Sequence, residues 1–211
     1  MNIDRSEITG LVLAGGRGSR MGGVDKGLQV WAGKPLALHA AERLEPQVGA
    51  LLFNANRNLD RYAAFGWPVV PDARAEPLTD GPADYSGPLA GMLAGLHACR
   101  TAYLATVPCD SPLFPVDLVH RLAQALQSSD AQIAVAATLE NGQPQPQPVF
   151  CLITTTLRDS LAAYLQSGQR KIDRWAVQQR CAQVVFDQAD AFFNANTVID
   201  LLHLQGGPHR S

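Results

Sequence analysis

An apolar run, Leu11-Val12-Leu13, breaks off into Ala14-Gly15-Gly16-Arg17-Gly18-Ser19-Arg20, and this junction restricts the chain more than any other stretch. The run is short, apolar and bounded by glycine, which predicts a buried strand. The small residues after it leave no Cβ between the backbone N–H groups and an approaching anion. Arg17, Arg20 and Lys26 then place three cations in one loop. A strand, a glycine turn and fixed cations together suit a triphosphate. The plain alternative is an ordinary glycine-rich turn, which leaves the crowding of positive charge unexplained.

Two familiar phosphate motifs do not fit. The dinucleotide fingerprint fails because Met21 stands where its third glycine belongs. The Walker A loop fails at Gly33-Lys34, which is followed by Pro35 and has Leu28 in place of the first glycine.

The chain has 211 residues, enough for one domain with a sizeable core. Its formal net charge of -2 provides no general attraction to nucleic acid or to a membrane surface, so any cationic site must be local. Cys99, Cys109, Cys151 and Cys181 form no C-x-x-C pair and read as reduced thiols of a cytoplasmic protein. The histidines are scattered singly, against a zinc site. The opening MNIDRSEITG has no apolar core of a signal peptide, and no apolar stretch approaches membrane-spanning length.

Strand and helix signals alternate along the rest of the chain. Strands are expected over 11–13, 50–53, 68–70, 102–107, 133–137, 149–152 and 184–186, with a short one over 28–31. Helices are expected from Pro35 to Pro46, over 57–65, from Pro88, over 116–126 and 156–165, from about residue 169, and through Asp200 after Asn196-Thr197. The proline-glutamine run 141–148 reads as a loop entering the next strand. The expectation is an α/β fold: one three-layer α/β/α domain over residues 1–205, with a mostly parallel, Rossmann-like sheet and a frayed tail at 206–211.

Five features carry alternatives. Asn54 and Asn56 at a strand end are turn chemistry, or Asn54 presents its amide to a ligand. Asp72 is a solvated loop acid, or a carboxylate facing a ligand. The small residues Ala90, Gly91, Ala94 and Gly95 allow close helix–sheet packing or seat a flat ring. Asp110 directly follows an apolar strand, a metal-ligand position at the carboxyl edge of an α/β sheet; the competing role, a helix N-cap, is weakened by Pro112 and Pro115. The cations around Arg170 meet a second anion or form a solvated helix face.

LAGGRGSRMGGVDKGL resembles the nucleotidyltransferases of sugar-nucleotide synthesis and, within them, the molybdenum cofactor guanylyltransferases. N-A-N-R at 54–57, G-P-L-A-G-M at 87–92, P-C-D at 108–110 and N-A-N-T at 194–197 extend the likeness. The resemblance implies a nucleotide-diphospho-sugar transferase type of sheet. It implies transfer of GMP from GTP to the phosphate of molybdenum-molybdopterin, with Mg²⁺ held by Asp110. It also implies that Leu13, Ala14, Gly15, Gly16, Lys26, Asn54 and Asp72 receive the nucleotide, with Lys26, Arg20 and Asp110 as the catalytic set. A carboxylate such as Asp72 suits guanine because it accepts the adjacent N1–H and exocyclic N–H₂ together. Expected partners are GTP, the pterin, and molybdoenzymes or their chaperones, met by a monomer. Cytidylyl transfer to the same acceptor, sugar-1-phosphate nucleotidyl transfer, and a non-catalytic nucleotide-binding module are the competing functions.

Overall fold

A computed structural model describes residues 3–15, 25–72, 87–195 and residue 200. The first apolar run forms β1 (Ile8–Leu13), buried along its whole length as a central strand must be. A two-residue hairpin follows, β2 (Val30–Trp31) and β3 (Lys34–Pro35), turned by Ala32 and Gly33 at φ 47° and 81°. Then come α1 (Leu36–Leu44), β4 (Ala50–Asn54), α2 (Leu59–Ala63), β5 (Val69–Val70) and α3 (Pro88–Ala98). The chain continues through β6 (Tyr103–Pro108), α4 (Leu118–Ser128), β7 (Ile133–Glu140) and β8 (Gln143–Thr154). It closes with α5 (Arg158–Gln166), α6 (Ile172–Ala176) and β9 (Cys181–Phe186).

Among the described residues, seven strands make one sheet in the order β5-β4-β1-β6-β8-β7-β9. Only β8 runs against its neighbours, so the expected mostly parallel sheet is found. Alternation along β1 splits the core in two. Ile8 and Val12 pack with α1, α2 and α4, while Leu11 and Leu13 pack with α3, α5 and α6. These are the three layers.

Strand order reverses at β1: the chain moves from β1 outward to β4 and β5, then returns to β6 on its other side. The parallel register sets Leu13 opposite both Asn54 and Pro108. The residues that follow all three strands therefore emerge together at one carboxyl edge, where α/β sheets bind ligands.

The structure corrects the reading of 141–148. Asn141 and Gly142 take positive φ, 50° and 75°, and fold a tight hairpin between β7 and β8. Pro144, Pro146 and Gln145 lie in the strand, paired with Leu139, Ala137 and Thr138. Prolines are tolerated because β6 pairs with β8 only from Cys151 to Thr154, leaving the proline stretch with one neighbour. The helix expected over 57–65 is also shorter, since Asn58 adopts a left-handed φ of 51° and α2 starts after it. The expected helix through Asp200 lies, apart from Asp200, outside the described residues.

The small-residue stripe of α3 is a packing surface. A Cβ on Gly95 would stand 2.5 Å from Leu11 Cδ2, and one on Gly91 2.2 Å from Asn54 Oδ1. The Asn54 amide is held by further hydrogen bonds and cannot step aside. Gly91→Ala should therefore cost about 1–3 kcal/mol of stability, outweighing the better helix propensity of alanine, as measured by urea denaturation.

Candidate active site

One wall of the crevice is built where β6 ends. Cys109 N–H donates to Leu13 O at 3.0 Å, which carries the β1–β6 ladder one residue further and delivers Asp110 beside the glycine turn. From the other side, Ala195 N–H donates to Asp110 O at 2.8 Å, and Ser111 Oγ donates to Asn194 Oδ1 at 2.5 Å. α4 begins only at Leu118, after Asp117, so Asp110 caps no helix. Its side chain meets Lys26 instead: Nζ lies 3.3 Å from Oδ2, with the two side chains 22 % and 17 % exposed.

Lys26 opens a tight turn, Lys26–Leu28, whose position is fixed from α2. The neighbouring carboxylate of Asp25 accepts Tyr62 Oη–H at 2.6 Å and Asn58 Nδ2–H at 2.9 Å. Gly27 fits closely between, since a Cβ there would lie 2.4 Å from Tyr62 Oη and 3.3 Å from Cys109 Sγ. Burial, with Cys109 and Asp25 adding to it, pushes the Tyr62 phenol far above its usual range, so it remains a donor to Asp25. Burial also raises the Cys109 thiol, and the charges of Asp110 and Asp25 raise it further. Cys109 is therefore an inert packed thiol and not a nucleophile.

The opposite wall comes from the end of β4. Ala14 N–H donates to Asn54 O at 2.8 Å, so that donor belongs to the sheet. Asn54 is 2 % exposed. Its Nδ2 donates to Val70 O at 3.1 Å and to Asp72 Oδ1 at 2.8 Å. Asn56 Nδ2 donates to Asp72 Oδ2 at 2.9 Å, and Asn56 Oδ1 accepts Asp72 N–H at 2.9 Å. Asp72 is thus no solvated loop acid. A Cβ on Gly15 would stand 2.9 Å from Asn56 Nδ2 and 3.1 Å from Asn54 Oδ1, so the turn passes directly over both amides.

The structure therefore brings Leu13, Ala14, Gly15, Lys26, Asn54, Asp72 and Asp110 to one edge. Gly16, Arg17 and Arg20 lie outside the described residues. Arg170 is occupied locally: its guanidinium donates to Leu165 O and Gln169 O, both at 2.8 Å. Asp25, Asn58 and Tyr62 are not singled out from sequence, and Asn56 is read there only as turn chemistry. Only Asn56 had a signal, because alternate residues of an extended segment share a face and Asn54 was already a candidate.

Among the described residues, no group of three or more His, Cys, Asp or Glu side chains is placed to hold a metal. Asp110 is the carboxylate that directly follows β6 at this edge. Also among the described residues, no helix is long and apolar enough to cross a membrane.

A family model of the MobA-like NTP transferase domain matches residues 10–184. A molybdenum cofactor guanylyltransferase of Bordetella petrii is 59 % identical over 202 residues, covering 96 % of this chain and 99 % of that protein. One of Acidovorax ebreus is 56 % identical, covering 99 % of this chain and 100 % of the other. Among solved structures, molybdopterin-guanine dinucleotide biosynthesis protein A from Archaeoglobus fulgidus superposes with a TM-score of 0.71 at 20 % identity, covering 94 % and 97 % of the two chains. The 4-diphosphocytidyl-2C-methyl-D-erythritol synthase of Anaerococcus prevotii gives a TM-score of 0.71 at 12 % identity, covering 96 % and 100 %. At these identities the structural likenesses speak to the fold.

The phenol–carboxylate bond behind Lys26 can be probed directly. Tyr62→Phe removes a hydrogen bond from a charged acceptor, and thermal or urea unfolding should show a loss of about 1–3 kcal/mol. An unchanged midpoint would mean that Asp25 does not depend on Tyr62.

Proposed function

We propose, since this chain belongs to the MobA-like NTP transferase family, that it transfers GMP from GTP to the terminal phosphate of molybdenum-bound molybdopterin. An oxygen of the acceptor phosphate forms a bond to the α-phosphorus of GTP. The α–β bridging bond breaks, pyrophosphate leaves, and molybdopterin guanine dinucleotide is the product. The attacking oxygen is already ionised, so no protein base is needed. This agrees with a site that contains neither a histidine nor an activated thiol among its described residues.

The barrier is the approach of two polyanions, and the chain's work is positioning and charge neutralisation. Lys26, fixed by the Asp25 turn, presents its ammonium where negative charge accumulates. Gly15 offers backbone without a Cβ beside the strand end, and Gly16 and Arg20 belong to the same proposed phosphate site. Leu13 and Ala14 set the height of that turn above the sheet. Asp72, held by Asn54 and Asn56, accepts the guanine donors. Asp110 is the residue that would hold Mg²⁺. A carboxylate at this edge fits that ion, which commonly binds through one or two carboxylates plus substrate phosphates. When bound, it supplies neutralisation of phosphate charge.

The observation that carries this reading is the meeting of Lys26 and Asp110 beside the β1 turn, at the point where strand order reverses. The reading takes residues 1–205 as one catalytic domain, with 206–211 as a tail. It works as a monomer in the cytoplasm, with neither nucleic acid nor membrane as partner, and hands its product to molybdoenzymes or their chaperones.

Lys26→Ala and Asp110→Ala should each lower pyrophosphate release from GTP, Mg²⁺ and acceptor by at least about a hundredfold, with the fold retained. Near-normal turnover by either purified variant would remove the assignment. In a competition assay with the same acceptor, GTP should be used in preference to CTP. Turnover with sugar-1-phosphates and none with the pterin would move the chain to the sugar-nucleotide branch.

A further inference from the structure

Two amides converge on one carboxylate at the end of β4, and they are not equivalent. Asn54 is buried and reaches Asp72 through a single donor, Nδ2 to Oδ1 at 2.8 Å. Asn56 is exposed and grips Asp72 twice. Its Nδ2 donates to Oδ2 at 2.9 Å, and its Oδ1 accepts the Asp72 main-chain N–H at 2.9 Å. An aspartate carboxylate turns easily about its last torsion, which has broad wells. One hydrogen bond from Asn54 leaves the plane free to tilt, and the second attachment through Asn56 stops it.

The acceptor count then has a consequence for ligand choice. A carboxylate has about four acceptor sites, two on each oxygen. One amide on each oxygen leaves one acceptor site on each. The complement is a planar edge with two adjacent N–H donors. Among the four common bases only guanine has such an edge, in N1–H and the exocyclic amine. Cytosine presents one donor beside two acceptors, and adenine one donor beside one acceptor. Asn56 also bears on the phosphate side, since its Nδ2 lies where a Cβ on Gly15 would come within 2.9 Å. One side chain thus spaces the base-reading carboxylate from the glycine turn.

We infer that Asn56 is a specificity-determining positioning residue: it acts through Asp72, fixing the carboxylate so that both open acceptor sites face a two-donor base edge. The inference rests on the proposed role of Asp72 as the guanine acceptor. It distinguishes Asn56 from a residue that merely braces the loop, because bracing affects every nucleotide alike. Positioning affects guanine more than a base lacking one of the two donors.

Calorimetric titration of the full chain with GTP and with ITP, in Mg²⁺, tests this. Hypoxanthine keeps N1–H and O6 and lacks only the amine. The wild type should bind GTP more tightly than ITP, and Asp72→Ala should bring the two affinities together. Asn56→Ala should weaken GTP about tenfold and ITP much less, so the ITP-to-GTP ratio of Kd values falls toward one. Because Asn56 is exposed, the variant should melt close to the wild type. An Asn56→Ala protein that keeps the wild-type ratio, whatever its absolute affinities, overturns the inference while Asp72→Ala still supports the base reading. A wild type without preference for GTP, or an Asp72→Ala protein that retains one, overturns the base reading, and the role of Asn56 falls with it.

Discussion

The parallel hydrogen-bond ladder that holds β1 between β4 and β6 is the constraint on which the rest depends. It places Leu13 level with both Asn54 and Pro108, and it continues past the strands through Ala14 N–H to Asn54 O and Cys109 N–H to Leu13 O. The glycine turn, the amide pair and the Asp110 carboxylate therefore leave the sheet at the same height. A slip of one residue in any of the three strands would turn the following side chains to the other face and dismantle the edge.

Each wall of the crevice is held in place by neighbouring groups. Behind Lys26 stand Asp25, Tyr62 and Asn58, and behind Asp72 stand Asn54 and Asn56. Charged groups that are fixed before a ligand arrives need little reorganisation when it binds, and this matters most when the ligand is a polyanion. Glycine makes both supports possible. Gly27 lets the Lys26 turn settle on Tyr62 and Cys109, and Gly91 lets α3 come down on Asn54. The small residues of α3 thus contribute to the site by supporting a residue that supports Asp72.

Much of this was legible in the sequence, and the boundary of what was legible is physical. Alternating apolar runs and helical stripes announced the α/β layers, and the position of Asp110 after the β6 run announced its place at the carboxyl edge. The proline-glutamine segment was misread because proline argues against strand. Its place on a stretch with one neighbour is a property of sheet order, which sequence does not display. The Asn141-Gly142 turn carried a hairpin signal that the repeat of prolines obscured. Tyr62 and Asn58 could not be connected with Asp25, since the contact arises only when α2 packs beside the Lys26 turn. For Asn54 the sequence leaves open turn chemistry or an amide facing a ligand. Its burial and its bonds to Val70 and Asp72 follow from the seat of α3 against it.

The central claim is that one nucleotide lies across both walls, with its base at Asp72 and its phosphates between the glycine turn and the Lys26–Asp110 pair. A crystal structure of the full chain with GTP and Mg²⁺ tests this most directly. The account predicts the guanine N1–H and amine on the Asp72 carboxylate, the triphosphate passing over Gly15, and Asp110 facing the phosphates. A nucleotide bound away from the end of β1, or one whose base leaves the Asp72 carboxylate without a partner, would contradict it.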